Sequence, residues 1–180
     1  MIADVVGRRY AKALFALASK EQTLDEVRDS LDSIVHLMDT NRTFRYFMLT
    51  PRIEKERKRD LFRKVVGPGM PEVMHLFLGV VLEKRRQEYL DKIRKHFDIL
   101  YNESIGRVLV HAVSAYLLSP EEQQALVHAF EVKTGKQILL SNTVDPSLIG
   151  GIHVRMGYTI IDTTIKGKLI QMKKLLSQSL

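Results

Sequence analysis

The chain has 180 residues, of which 45% are hydrophobic, and its formal net charge at pH 7 is +7. This length and apolar content are enough to bury a core in one large domain or two small ones. The absence of cysteine excludes disulfide bonds, thiolate zinc sites and thiol nucleophiles, and it fits a reducing compartment. The longest apolar run, near Val73 to Leu82, is about half of the roughly 20 residues that a membrane-spanning helix needs.

Up to about Ser104 the spacing of apolar residues is helical, and six segments predict six helices. The first runs from about Ala3 to Lys20, and a stripe of small residues beside its apolar stripe would let a second helix approach closely. The second begins near Thr23, which stands in capping-box register with Glu26. The other four are predicted at about residues 42–49, 53–66, 71–82 and 90–105.

The fifth predicted helix opens at Pro71, taken as a first-turn proline, and is apolar almost all round. Such a helix is either the buried centre of a bundle, or it is buried on one face and covered by a partner on the other. The sequence leaves both alternatives open. Gly79 in its middle costs about 1 kcal/mol relative to alanine, which the close approach of another backbone would explain most simply.

After Gly106 the period changes from helical to alternating, and residues 107–117 predict a strand. Ser119 as N-cap and Pro120 at the first helical position begin a helix that ends at Gly135. Further strands are predicted within residues 136–144, 152–156 and 158–162, separated by proline and glycine turns. A basic amphipathic helix ends the chain, and its apolar side consists of Ile165, Leu169, Met172, Leu175 and Leu176.

These segments together predict a mostly α protein with a small α+β part. We place an N-terminal six-helix bundle in residues 1–105 and a compact C-terminal α/β domain in residues 106–180. The domain boundary follows from the change of hydrophobic period near Gly106.

The search for catalytic or metal-binding motifs gives no candidate. The Gly-Lys pairs at Gly135 and Gly167 lack the upstream glycine of a phosphate-binding loop. The histidines show no i,i+3 or i,i+4 pairing that would present two imidazoles to one metal, and no serine lies in a Gly-x-Ser-x-Gly elbow. Asp162 is better explained as a helix cap than as a catalytic carboxylate. We therefore predict no catalytic residues, no metal and no cofactor.

The positive charge raises the alternative of a basic helical nucleic-acid-binding protein. The densest basic stretch, residues 52–64, contains three acidic residues, and Glu54 and Lys58 have the i,i+4 spacing of a solvated surface pair. RNA-binding modules also need exposed aromatic side chains, and this chain has no Trp. We favour a solvated helix face, and we keep the alternative with Arg57, Lys58 and Arg59 as its sensitive residues.

Several stretches of sequence resemble those of a known family: RRYAKALFALA from Arg8, VSAYLLSPEE from Val113 and VDPSLIGGIHVRMGYTIIDTTIKGKL from Val144. In their order and spacing over nearly the whole chain, they resemble the delta subunit of F-type ATP synthases. This family includes the mitochondrial oligomycin-sensitivity-conferring protein. Arg9 stands where the family often has proline, a departure that removes no chemical group needed for the role.

The resemblance implies a non-enzymatic stator subunit of a proton-translocating F-type ATP synthase. In the family, the N-terminal helix of an alpha subunit lies in a groove between the first and fifth helices, and the C-terminal domain holds the b subunits of the peripheral stalk. The matching groove residues are Tyr10, Ala13, Leu14, Leu17, Leu76, Gly79 and Val80. We expect no nucleic-acid partner and only indirect membrane contact. The absence of a transit-like extension favours the cytoplasmic side of a bacterial inner membrane.

Overall fold

The computed structural model describes residues 2–66 and 69–178, with the side chains of residues 3–64, 69–170 and 172. Across these residues the protein is mostly helical, with eight α-helices and a sheet of four strands. By packing, the chain divides into two compact units, residues 1–101 and 102–180. The described residues include no helix that is both long enough and apolar enough to cross a membrane.

The α-helices are α1 (Ile2–Lys20), α2 (Leu24–Thr40), α3 (Arg42–Leu49), α4 (Lys55–Val66), α5 (Glu72–Glu83), α6 (Leu90–Ser104), α7 (Pro120–Thr134) and α8 (Ile165–Gln178). Short 3₁₀ helices span Gln87–Tyr89 and Pro146–Leu148. The strands are β1 (Arg107–Ser114), β2 (Gln137–Val144), β3 (Ile152–Met156) and β4 (Thr159–Asp162). The predicted types and order of these elements are confirmed, and Gly67 and Pro68, which follow the predicted end of the fourth helix, lie outside the described residues.

Helices α1 to α6 contribute to one hydrophobic core. The small-residue stripe of α1 faces inward, and Ala11 and Ala18 are fully buried, as the sequence predicts. Edge-to-face ring pairs join Phe15 to Phe97 and Phe44 to Phe62, each with centroids 5.9 Å apart. The most deeply buried large side chains include Leu31, Ile34, Met48, Met74, Leu78 and Ile93.

The prediction of a capping box at Thr23 is wrong. The Thr23 side chain makes no cap hydrogen bond, and its hydroxyl is buried without a partner among the described residues. The reason lies at the end of α1, where Gln22 is left-handed with φ of 57° and the Thr23 backbone N–H donates to the Ala18 carbonyl at 2.9 Å. This closure of α1 uses the N–H that a capping glutamate at Glu26 would need.

Lys58 is buried rather than solvated, which contradicts the surface pair predicted with Glu54. Its Nζ donates hydrogen bonds to the carbonyls of Met48 at 2.7 Å and Thr50 at 2.8 Å, which satisfies acceptors at the end of α3. Burial lowers the pKa of Lys58, because desolvation penalises the charged ammonium. Glu54 instead forms an ion pair with Arg57 at 3.6 Å.

Gly7 and Gly79 are both helical glycines, but they lie in different surroundings. A Cβ at Gly7 would be 2.7 Å from Lys92 Cβ and 3.0 Å from the Lys92 carbonyl carbon. A Cβ at Gly79 would meet the Arg59 guanidinium at 3.5 Å, an ordinary contact. The sequence suggested that another backbone comes close to Gly79. Among the described residues this close approach is found at Gly7 instead, where α6 lies against α1.

We expect Gly7→Ala and Gly79→Ala to change stability in opposite directions. Alanine is worth up to about 1 kcal/mol more than glycine in a helix, so Gly79→Ala should stabilise the chain. Gly7→Ala should destabilise it by about 1–3 kcal/mol, because the added methyl group forces α1 away from α6. Urea unfolding of the full-length variants measures both changes. Stabilisation by both substitutions would contradict the packing at Gly7.

The second unit contains a mixed sheet with strand order β2-β1-β3-β4. Strand β1 pairs parallel to β2 and antiparallel to β3, and β3 and β4 form an antiparallel hairpin. Ser119 caps α7 in a complete capping box with Glu122, and α7 ends at Gly135 with φ of 65°. The core of this unit contains Val108, Val110, Ala112, Phe130, Ile138 and Val154.

The start of α8 differs from the prediction in one respect, because Thr164 rather than Asp162 caps it directly. The Thr164 hydroxyl accepts from the Gly167 N–H at 3.0 Å. The Asp162 carboxylate accepts from the Thr164 hydroxyl at 2.7 Å and from its N–H at 2.9 Å, so it holds the cap in place. These hydrogen bonds lower the pKa of Asp162 by stabilising its charged form.

Candidate docking surfaces

Helix α5 has one buried face and one open face. Val73, Met74, Phe77, Leu78, Val81 and Leu82 are buried in the core. On the opposite side Leu76 is 64% exposed and Val80 is 52% exposed, and Gly79 lies beside them. Of the two alternatives for this helix, the structure therefore supports the one in which a single face is buried within the chain. Pro71 lies at the N-cap, one residue before the helix begins.

Helix α1 packs beside α5, and the ring of Tyr10 meets that of Phe77 edge to face with centroids 6.2 Å apart. On α1, Leu17 is 51% exposed, Ala13 is exposed and Tyr10 is half-buried. These three residues with Leu76 and Val80 define what we call the α1–α5 surface. The predicted groove residues thus lie on two packed neighbouring helices.

Leu14 is one of two exceptions among the predicted groove residues. It is 0% exposed and belongs to the core of the first unit. In this conformation a partner cannot contact it, and it supports the α1–α5 surface from beneath. Gly79 is likewise turned away from α1, since its nearest neighbours are atoms of Arg59 on α4.

A groove between α4 and α5 was not predicted from the sequence. It has a volume of about 360 Å³, and its lining includes Arg59, Arg63, His75, Leu76, Gly79 and Val80. We call it the α4–α5 groove. It shares its apolar residues Leu76 and Val80 with the α1–α5 surface. We call these two exposed residues the crest of α5, and a contact surface lies on each side of it. Arg59 and Arg63 form the α4 side of the groove, and their i,i+4 spacing is the sequence signal that could have indicated it.

Glu83 at the edge of this groove is already paired. Its carboxylate accepts a hydrogen bond from Lys55 Nζ at 3.0 Å, and this interaction lowers the pKa of Glu83. Lys84 and Arg59 contribute smaller electrostatic effects in the same direction. The groove therefore keeps an excess of positive charge from Arg59, Arg63 and Lys84.

The residues named for the nucleic-acid alternative do not form one basic patch. Lys58 is buried against backbone carbonyls, Arg57 pairs with Glu54, and Arg59 lies in the α4–α5 groove. Among the residues that the structure describes, no cluster of three or more His, Asp or Glu side chains could hold a metal ion.

The second unit exposes the apolar side of α8. Ile165, Leu169 and Met172, predicted as the apolar side of this helix, are all exposed, as is the neighbouring Ile170. We call these four residues the α8 surface. The side chains of Leu175 and Leu176, which extend the predicted stripe, lie outside the described residues. An exposed apolar stripe of this kind is typical of a protein-binding helix.

Exposed apolar helix surfaces in both compact units are typical of a protein that binds other proteins. The family model described as ATP synthase delta (OSCP) subunit matches residues 6–176. The chain therefore belongs to the ATP synthase delta (OSCP) subunit family. This family comprises structural, non-catalytic subunits of the ATP synthase, so the predicted family and the predicted lack of catalytic function are both confirmed.

Individual relatives cover nearly the whole chain. The chain is 38% identical to the ATP synthase subunit delta of Symbiobacterium thermophilum, over 96% of this chain and 92% of that protein. It is 34% identical to the subunit delta of Desulforudis audaxviator, over 96% and 95% of the two chains. In a cryo-EM structure of the Toxoplasma gondii mitochondrial ATP synthase hexamer, one chain matches with a TM-score of 0.73 and 25% identity, over 94% of this chain and 96% of that one.

Proposed function

We propose that this chain is the stator connector of a proton-translocating F-type ATP synthase. It links the N-terminal helix of an alpha subunit on the catalytic head to the b subunits of the peripheral stalk. The observation that carries the proposal is the presence of an open apolar surface in each compact unit of a chain that belongs to this family. A stator needs two separate attachments, because it must transmit the holding force from the stalk to the head.

The proposal assigns one attachment to each predicted domain. Residues 1–105 form the six-helix bundle that binds the alpha subunit, and residues 106–180 form the α/β domain that binds the b subunits. The protein lies at the cytoplasmic side of a bacterial inner membrane and contacts the membrane only through the complex. It binds no nucleic acid in this role.

The α1–α5 surface is the proposed site for the alpha helix. An amphipathic helix would cover Leu17, Leu76 and Val80 with its apolar face, as in other helix-in-groove complexes. Apolar burial contributes about 25 cal/mol per Å² before the ordering costs of binding are subtracted. Leu14 and Phe77 form the buried layer beneath this surface.

The α8 surface is the proposed site for a b helix. Ile165, Leu169 and Met172 follow the 4-3 spacing of a coiled-coil seam, which suits a helical partner. The helix contains four lysines and no acidic residue, so acidic residues on the partner would complement its charge. Both features support a long helix with acidic flanks as the occupant.

We expect Leu169→Asp to weaken binding of the soluble part of the b subunits by about 100-fold, because a carboxylate would have to be desolvated within an apolar seam. Surface plasmon resonance with immobilised b measures the change. Val132→Asp is the matched control, since Val132 is an exposed residue of α7 in the same unit. Equal binding by Leu169→Asp and Val132→Asp would contradict the placement of b on α8.

The connector function itself is tested by mixing the full-length chain with the isolated catalytic head and the soluble part of the b subunits. Sedimentation velocity should show one complex containing all three components, and omission of the chain should separate the head from b. Binding of the head and of b that is mutually exclusive, or absent, would contradict the proposed function.

A further inference from the structure

The Arg59 side chain extends from α4 across Gly79 of α5. The position of a Cβ at Gly79 is 3.5 Å from one terminal nitrogen of the guanidinium and 3.8 Å from its central carbon and from Nε. The guanidinium thus lies in van der Waals range of the Gly79 position on the exposed face of α5. Arg59 is therefore placed within the α4–α5 groove, next to Leu76 and Val80.

The donors of this guanidinium have no acceptors in the part of the chain that the structure describes. Arg59 Nε is buried and lacks a hydrogen-bond partner there, and no described carboxylate lies within ion-pair distance of the side chain. Arg59 lines the α4–α5 groove and is only half-buried, so a partner can supply a carboxylate acceptor to the terminal nitrogens of the guanidinium.

The charges around Arg59 indicate which acceptor would fit. Arg63 and Lys84 add positive charge to the groove, whereas Glu83 is already bonded to Lys55 at 3.0 Å. Glu72 is the remaining acidic residue of the lining. The groove is therefore complementary to an acidic group, and a guanidinium binds a carboxylate especially well through paired N–H donors.

The neighbouring apolar residues indicate what carries that acidic group. Leu76 and Val80 line the α4–α5 groove and also belong to the α1–α5 surface, so one occupant covering this crest reaches both. An amphipathic helix that covers the crest carries polar residues along the edge of its apolar face, within reach of α4.

We propose that the α4–α5 groove is the charge-selective half of the docking site. The helix that covers Leu76 and Val80 places an Asp or Glu side chain in this groove, where Arg59 binds its carboxylate and Arg63 adds electrostatic attraction. This inference rests on the proposed function, since it takes the N-terminal helix of the alpha subunit as the occupant. It adds α4 as a third contributor to the site.

The test titrates the full-length chain with a synthetic peptide of the alpha N-terminus from the same organism. Arg59→Gln should weaken binding by about tenfold to a hundredfold, as expected for the loss of a charge-assisted hydrogen bond. Arg57→Gln is the matched control, because Arg57 also lies on α4 but is 76% exposed and paired with Glu54. This control should change the affinity by less than about twofold.

A second arm changes the peptide rather than the protein, so that folding of a variant cannot affect the result. A peptide with its Asp and Glu residues replaced by Asn and Gln should bind the unmodified chain at least as weakly as the original peptide binds Arg59→Gln, because it also loses the attraction to Arg63. Combining both changes should cause little further loss, because they remove the same interaction.

The outcomes separate this inference from the proposed function. Tight peptide binding that Val80→Asp abolishes, but that neither Arg59→Gln nor the neutral peptide weakens, would overturn the role of the α4–α5 groove alone. Equal weakening by Arg57→Gln and Arg59→Gln would also overturn it, since that would indicate only long-range attraction. No binding of the original peptide would overturn both the inference and the alpha-binding part of the proposed function.

Discussion

Replacing Val80 by Asp should weaken binding of the alpha N-terminal peptide by about 100-fold or more, because a carboxylate would be forced into the apolar centre of the interface. Val80 belongs both to the α1–α5 surface and to the α4–α5 groove. The introduced charge would also repel an acidic occupant. Isothermal titration calorimetry with the full-length chain measures the loss.

The same substitution should leave the chain folded, since Val80 is 52% exposed and contributes little to the core. Thermal unfolding by circular dichroism checks this. Val132→Asp introduces the same charge at an exposed valine of the second unit, and it should leave peptide affinity unchanged. If Val80→Asp binds the peptide as well as Val132→Asp does, the proposed site on α5 is wrong.

Leu14→Ala and Leu17→Ala both truncate a leucine of α1, but we expect the first to reduce stability and the second to reduce peptide affinity. Leu14 is 0% exposed, so its truncation should reduce the free energy of unfolding by about 2–5 kcal/mol through lost burial and a cavity. Leu17 is 51% exposed, so its truncation should change stability by less than about 1 kcal/mol. Peptide affinity should fall by about tenfold for Leu17→Ala, because an exposed leucine of the docking surface is lost.

Urea unfolding and peptide titration on the two variants check this pair. The peptide affinity of the folded fraction of Leu14→Ala should remain close to that of the unmodified chain. A stable Leu14→Ala variant with lost binding would mean that Leu14 reaches the partner directly. That result would contradict the burial of Leu14 beneath the surface.

The sequence was sufficient for several features that a local pattern determines. The helix from Arg42 to Leu49 has the predicted bounds, because the chain must leave the helical region before Pro51. Ser119 is the N-cap of α7 as predicted, and the alternating burial of β1 follows the alternating pattern of the sequence. These features depend on residues close to one another in the chain.

The features that the sequence missed depend on groups distant in the chain or on competing local bonds. Lys58 has the spacing of a surface lysine, yet the end of α3 supplies carbonyls that draw its ammonium inward. The Thr23 backbone N–H was already used by the closure of α1. No single-helix pattern could show that Arg59 would lie over Gly79 of another helix. Helix α8 forms as predicted, but periodicity alone could not tell that Ile165, Leu169 and Met172 on its apolar side are exposed.

The measurement that tests the stator account most directly is a titration of the full-length chain with the alpha N-terminal peptide at low and at high salt. We predict saturable binding whose affinity falls by less than about fourfold between about 0.05 and 0.2 M salt, since apolar burial dominates and few ion pairs contribute. Absence of peptide binding, together with nucleic-acid binding that weakens by about a thousandfold over the same range, would contradict the account.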